Sequence, residues 1–327
     1  MSFLINDGDD SNNNIISRDI NFTAVNDAPT LATIEAMPAF YSEGGTPVGI
    51  TGNLSLDDLD DDNIESAVVS ISNNFASGED ELIFSDQSGI AGSYDNTTGI
   101  LTLTGSASVV DYQNALTTIA FRNTSDNPST LTRTVSFVVN DGESGSNVLS
   151  RDIEFSAVND APILSAIETA PASYTENGAP LVITGSTAVS DVDDTDIESA
   201  TVTINGNLAP GDVLNFTDQN GITGNYDSAN GLLTLTGSAS LADYQAALRS
   251  ITYENTSDDP SDLTRTVSFL INDGDDNSNA LSRNINFTAV NDAPTLATIE
   301  ATPASFCLLY TSPSPRDRTR SRMPSSA

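Results

Sequence analysis

Glu198-Ser199-Ala200-Thr201-Val202-Thr203-Ile204 alternates apolar and polar side chains from Ala200 onward. Successive side chains of a strand face opposite sides, so this period of two predicts Ala200, Val202 and Ile204 in a core and Thr201 and Thr203 outside. Ala67, Val69 and Ile71 repeat the pattern. Working outward, further strands read from Thr134 to Val139, with Val135, Phe137 and Val139 inward, and from Asp152 to Val158, with Ile153, Phe155 and Ala157 inward. Threonine on the outer positions suits a strand surface. Tyr226-Asp227-Ser228-Ala229-Asn230-Gly231 precedes a run from Leu232 to Thr236, and its Asn-Gly pair is read as the source of the positive φ of a hairpin turn. Ser108-Val109-Val110-Asp111 and Ser240-Leu241-Ala242-Asp243 resemble capping boxes with Asp in place of Glu. Apolar residues follow at Tyr112, Leu116 and Ile119 and at Tyr244, Leu248 and Ile251, predicting one short helix per copy. The expected fold class is all-β: sandwich modules, each with a short helical crossover.

These patterns recur because the chain is a tandem array. Asn-Asp-Ala-Pro stands at Asn26 to Pro29, Asn159 to Pro162 and Asn291 to Pro294, and the intervening stretches match each other along almost their whole length. The division expected is the end of one repeat at 1–25, full repeats at 26–158 and 159–290, and the start of another at 291–306. Met1 to Gly8 matches Val267 to Gly274, so Met1 falls mid-repeat and the chain reads as a fragment of a longer protein. At the far end the register stops at Phe306. From Cys307 to Asp317 the sequence resembles a translated transposon-based sequencing adapter, and Arg322 to Ala327 its flow-cell primer, so 307–327 is read as non-biological. The alternative is a real basic tail carrying Arg316, Arg318, Arg320 and Arg322.

Charge narrows the partners. Asp and Glu number 46 against 11 basic residues, all Arg, for a net charge of −35, which makes nucleic acid and anionic membranes poor partners. No stretch is apolar enough to span a membrane. Such a chain repels itself unless counterions sit among its carboxylates, which points to divalent cations, calcium first, or to a saline medium. With no His, and with Cys307 outside both full repeats, neither a thiolate metal site nor the common nucleophile and base arrangements can be assembled. Paired carboxylates can hydrolyse glycosides, but acids that recur in every copy suit a mechanical role better than an active site, so the chain reads as a non-enzyme.

Carboxylates that recur in register are the site candidates: Glu43 with Glu176, Asp58 with Asp191, Asp60 with Asp193, Asp61 with Asp194, and Glu65 with Glu198. Hard oxygen donors at this density suit Ca2+, although no EF-hand loop or nonapeptide calcium repeat is present. The competing reading is that Asp58 to Asp61 and Asn140-Asp141-Gly142 simply cap turns. Arg133 and Arg265 are read as pairing with carboxylates of their own repeats, and Tyr94 and Tyr226 as core or strand-face aromatics.

Ala-Val-Asn-Asp-Ala-Pro after a strand, Tyr-x-Glu early in each unit, Asp-x-Asp-Asp further on and Phe-x-x-Asn-Asp-Gly near the end together resemble the cadherin-like, immunoglobulin-like tandem repeats of large bacterial surface adhesins, the RTX-type giants among them. The resemblance covers residues 1 to 306 and implies calcium at the joints between modules. Glu43, Asn159, Asp160, Asp191 and Asp193 would then converge at one joint, with Asp141 contributing, and Glu176, Asn291 and Asp292 at the next. Whether ions sit at joints or within loops stays open. The implied function is a calcium-stiffened stalk of a secreted or cell-surface adhesin, its partners being calcium, neighbouring repeats and a surface polysaccharide or other ligand bound by domains elsewhere. The alternatives are repeats that themselves bind a polysaccharide or one another, or accessory modules of a large secreted enzyme.

Overall fold

The computed structural model describes residues 2–3, 16–23 and 25–294. The match running from Met1 to Gly8, apart from Ser2 and Phe3, the repeat start after Pro294 and the tail from Cys307 lie outside the described residues. A short pair, β1 (Ser2–Phe3) with β2 (Ile16–Ser17), precedes the first full unit. That unit runs β3 (Thr30–Ala32), β4 (Ala39–Ser42), β5 (Val48–Gly49), β6 (Ser55–Asp57), β7 (Asn63–Asn73), β8 (Asp80–Ile83), β9 (Ala91–Asp95), β10 (Ile100–Ser108), α1 (Val109–Thr117), β11 (Ala120–Asn123), β12 (Arg133–Asn140) and β13 (Leu149–Ser156). The second repeats it as β14 (Ile163–Ser165), β15 (Ala172–Thr175), β16 (Leu181–Val182), β17 (Ala188–Ser190), β18 (Asp196–Gly206), β19 (Asp212–Asn215), β20 (Thr223–Asp227), β21 (Leu232–Ser240), α2 (Leu241–Ser250), β22 (Thr252–Asn255), β23 (Arg265–Asn272) and β24 (Leu281–Thr288).

Each unit is a β-sandwich. In the first, a six-stranded sheet ordered β4-β13-β12-β7-β10-β9 and a three-stranded sheet ordered β5-β11-β8 close on one core. Alternation decides the faces: Val135, Phe137 and Val139 of β12 are fully buried, as are Val202 of β18 and Phe269 of β23. Each such side chain contributes about 1.5–3 kcal/mol of burial. The helix follows β10 directly. Ser108 Oγ accepts the Asp111 amide at 3.1 Å and donates to Asp111 Oδ2 at 2.6 Å, and Tyr112, Leu116 and Ile119 are buried beneath it. Just before the helix β10 shifts register between Thr104 and Ala107, with Gly105 at φ 130. A Cβ there would lie 2.3 Å from the Gly89 carbonyl oxygen, so only glycine fits the bulge.

Two expectations change. Gly231 alone takes positive φ in its turn, and Gly99 does the same in the first unit, where Thr98 replaces Asn230; glycine, not the Asn-Gly pair, makes this turn. Ala157 is exposed, since β13 ends at Ser156 and the chain there leaves the sheet for the linker.

Strand direction places the rest. β4 and β13 pair in parallel, so Glu43 and Val158, each just past its strand, emerge at the same rim. The turn between β12 and β13 lies at the opposite rim, fastened to β3 by Asn147, whose amide group exchanges bonds of 2.9 and 2.8 Å with the Leu31 backbone.

Candidate metal centre

At the N-terminal rim of the first unit the turn between β6 and β7 winds around one carboxylate. Asp58 Oδ1 accepts the amides of Asp60 and Asp61 at 3.3 and 3.2 Å, while its Oδ2 is buried without a hydrogen-bond partner. The Asp27 amide reaches Asp60 at 3.2 Å. Asp141, buried in the neighbouring turn, takes the amides of Glu143 and Ser144 at 2.7 Å on Oδ1 and the Asn26 side-chain amide at 3.0 Å on Oδ2. Oxygens of Asp58, Asp61 and Asp141 lie within 4.8 Å of one another.

The second unit repeats the construction. Asp191 Oδ1 accepts the amides of Asp193 and Asp194 at 3.2 and 3.1 Å. Asp191 Oδ2 and Asp193 Oδ1 are buried and partnerless, and Asp193 Oδ2 accepts the Asp160 amide at 3.2 Å. Asn159 donates its side-chain amide to Asp273 Oδ2 at 3.1 Å and to Asp276 Oδ2 at 3.3 Å. Asp273 in turn accepts the amides of Asp275 and Asp276.

At the C-terminal rim of the first unit Glu43 Oε2 accepts the Val158 amide at 2.8 Å, and Glu43 Oε1 is buried without a partner. Glu176, 4% exposed, does the same with Val290 at 2.6 Å and also leaves Oε1 orphaned. Tyr-x-Glu has a physical reading here. Tyr41 packs edge-on against Phe121 at 5.4 Å and fixes β4 in the core, so the glutamate two residues on is held at the rim. The linker is consequently gripped at three successive residues, Val158 by Glu43 of the first unit and Asn159 and Asp160 by Asp273 and Asp193 of the second.

Crowding shifts the acidity of these groups. Burial, then the negative charges of Asp60, Asp58 and Asp141, raises Asp61 above the usual carboxylate range. Burial followed by Asp193, Asp191 and Asp273 raises Asp194 likewise, and burial is the main reason that Asp191 is raised. Burial also opposes ionisation of Asp141 and Asp273, but backbone amides and the linker asparagines outweigh it and hold both below that range. The arginines of the two units are engaged elsewhere, Arg122 with Glu81, Arg133 with Asp80, Arg151 with Glu35, Arg265 with Asp212 and Arg283 with Glu168, while Arg249 donates to the carbonyls of Ser186 and Thr187.

The structure therefore gathers Glu43, Asn159, Asp160, Asp191 and Asp193 around one linker. Asp141 stands elsewhere. It sits with Asn26 at the far end of its unit, because the whole of β13 separates its turn from Asn159, and Asp273 takes the corresponding place at the linker. Glu65 and Glu198 are exposed; Glu65 accepts the Ser106 hydroxyl at 2.6 Å and lies beside Gly142. Asn291 donates to the Asp292 carbonyl at 3.0 Å, and no Asp-x-Asp-Asp run follows Pro294 in the sequence to match Asp191 to Asp194. Asn26, Asp27 and Asp273 were not among the candidates, though their register mates Asn159, Asp160 and Asp141 were, and Asp276, also not among them, stands where the first unit has Ser144.

Orphaned, buried anionic oxygens set among further oxygen donors fit a hard divalent cation. Leaving such a group unsatisfied costs about 1–3 kcal/mol or more, and calcium accepts six to eight oxygens in irregular geometry.

No protein-family model and no curated protein matches the sequence. Among solved structures, the chain aligns with the protocadherin gamma B4 extracellular domain at 13% identity and TM-score 0.30, over 83% of this chain and 36% of that one. It aligns with mouse cadherin-23 EC22-24 at 14% identity and TM-score 0.28, over 81% and 67% of the two chains. The C-terminal domain of the Streptococcus agalactiae AgI/II polypeptide BspA aligns at 10% identity and TM-score 0.21, over 68% and 84%. The chain thus spans little more than a third of the protocadherin's length. The sandwich assignment stands on the chain's own sheets.

Proposed function

We propose that this chain belongs to the extended stalk of an extracellular or cell-surface adhesin, in which calcium at the joints stiffens a row of β-sandwich modules. One observation carries the reading: buried carboxylate oxygens without partners stand on both sides of a single linker, Glu43 Oε1 on one unit and Asp191 Oδ2 and Asp193 Oδ1 on the next. Glu43, Asp191 and Asp193 would supply anionic oxygens, and Asp160 and the Asn159 side chain would complete the shell from the linker. Asp58, Asp61 and Asp141 would hold an ion at the other end of the first unit. A bound cation would neutralise carboxylates that otherwise repel across the joint, favouring one mutual orientation of the modules. The chain's surplus of acid suits a calcium-rich exterior. Among the described residues no helix is long and apolar enough to cross a membrane.

Calorimetric titration of the full chain with calcium, after chelator treatment, tests the assignment. Micromolar to millimolar binding is expected, and Asp191→Asn should weaken the joint site about tenfold or more while leaving the Asp58 cluster. Equal isotherms for the two proteins would remove the assignment.

A further inference from the structure

The joint carries a second contact that involves no carboxylate. Asn127 Nδ2, on the loop between β11 and β12 of the first unit, donates to the Val192 carbonyl of the second at 2.8 Å. Val192 lies within the Asp191 to Asp194 turn, and Asp126, Asp160, Ile163 and Val192 line a groove of about 390 Å³ between the units. The loop is prepared for this reach. Its base is held by the fully buried Arg133, which donates Nη1 to the carbonyls of Ser129 and Leu131 at 2.5 Å and Nε to the equally buried Asp80 at 3.1 Å. Asn123 Oδ1 accepts the Ser125 amide at 2.8 Å, and Ser125 Oγ accepts the Asn127 amide at 3.2 Å.

The second unit builds the same loop on Arg265, Asn255 and Ser257, with one telling change at the tip, where Asp259 replaces Asn127. A carboxylate has no proton to offer a carbonyl and repels it. We propose that Asn127 is a metal-independent latch between neighbouring modules, and that a module with aspartate at this tip, as the second has at Asp259, cannot form it. The described joint is then held by two devices, the latch and the proposed cation site. By holding the Val192 carbonyl, the latch also pre-forms the turn that carries Asp191 and Asp193. The inference rests on the modular-stalk reading but not on the metal.

The test uses the full chain with Cys307→Ser and spin labels at Ser150→Cys and Ser282→Cys, two exposed strand positions on the first and second units. Inter-label distance distributions are recorded by pulsed electron resonance, in calcium and in excess chelator, with Asn127 intact and as Asn127→Ala. A net hydrogen bond shifts an equilibrium about fivefold, so in chelator the alanine variant should show a clearly broader distribution than the parent. Matching widths in chelator would overturn the latch. Circular dichroism melts check that both units remain folded, which is expected because Asn127 is exposed on a loop tip. The metal reading fails separately, when the parent distribution is the same with and without calcium.

Discussion

Arg133→Met should strongly destabilise the first unit, and the second unit contains its own control. Arg133 and Asp80 are both wholly buried and 3.1 Å apart, and the guanidinium also lies 4.9 Å over the Phe155 ring. Methionine fills much of the volume but leaves Asp80 with only the Asn123 side chain at 2.7 Å and the Ala76 amide at 2.8 Å. Breaking a buried pair from one side costs about 3–5 kcal/mol. At the equivalent place Asp212 keeps three donors after Arg265→Met: Asn255 at 2.7 Å, Ala209 at 2.8 Å and the Tyr253 hydroxyl at 2.6 Å. Tyr253 stands where the first unit has Phe121. A hydrogen bond to a charged group contributes about 1.5 kcal/mol or more, so Arg265→Met should cost about 2.5 kcal/mol against about 4 for Arg133→Met. With a urea slope of about 2 kcal/mol/M, the midpoints should fall by about 1.2 M and 2 M. Amide NMR during urea titration at saturating calcium follows the units separately and keeps the untouched one as reference. A shift below about 0.5 M in either variant, or a larger one for Arg265→Met, would refute the reasoning.

Glu168, bonded by the Gly185 amide at 2.9 Å and Thr184 at 2.7 Å, is held down to about 2; burial opposes this, and the amide, the hydroxyl and then Arg283 overcome it. Its folded pKa lies below the unfolded value, so its stabilisation is complete above pH ~4.5 and is lost as pH falls from there towards 2. Screening at this partly exposed group limits the effect to about 1 kcal/mol. The stability difference between parent and Glu168→Gln should shrink across that window, and a constant difference would contradict the assignment. Gly105→Ala places a methyl against the Gly89 carbonyl at a forbidden φ, and should cost about 3 kcal/mol and lower the melting temperature of the first unit by about 10 °C. An unchanged melt would show that the bulge relaxes freely.

Local chemistry made much of the fold readable in the sequence. Alternation at Val135, Phe137 and Val139 reports a face because strand geometry leaves no other choice, and Ser108 with Asp111 marks the helix start by satisfying orphan amides. What failed depended on where strands lead. Ala157 continues the alternation but lies past the last sheet bond, and alternation carries no end signal. Asp141 stands eighteen residues before Asn159, yet eight of those form β13, which at about 3.3 Å per residue carries the chain some 26 Å to the opposite rim. The carboxylate register between copies was visible in the sequence. The orphaned oxygens of Glu43, Asp191 and Asp193 were not, because burial is a property of the packed joint.

The central claim is mechanical, and small-angle scattering of the full chain tests it most directly. In millimolar calcium the maximum dimension should correspond to two modules held in one orientation, and excess chelator should change that dimension and raise the flexibility seen in the scattering profile. An identical maximum dimension and profile in calcium and chelator would contradict the account.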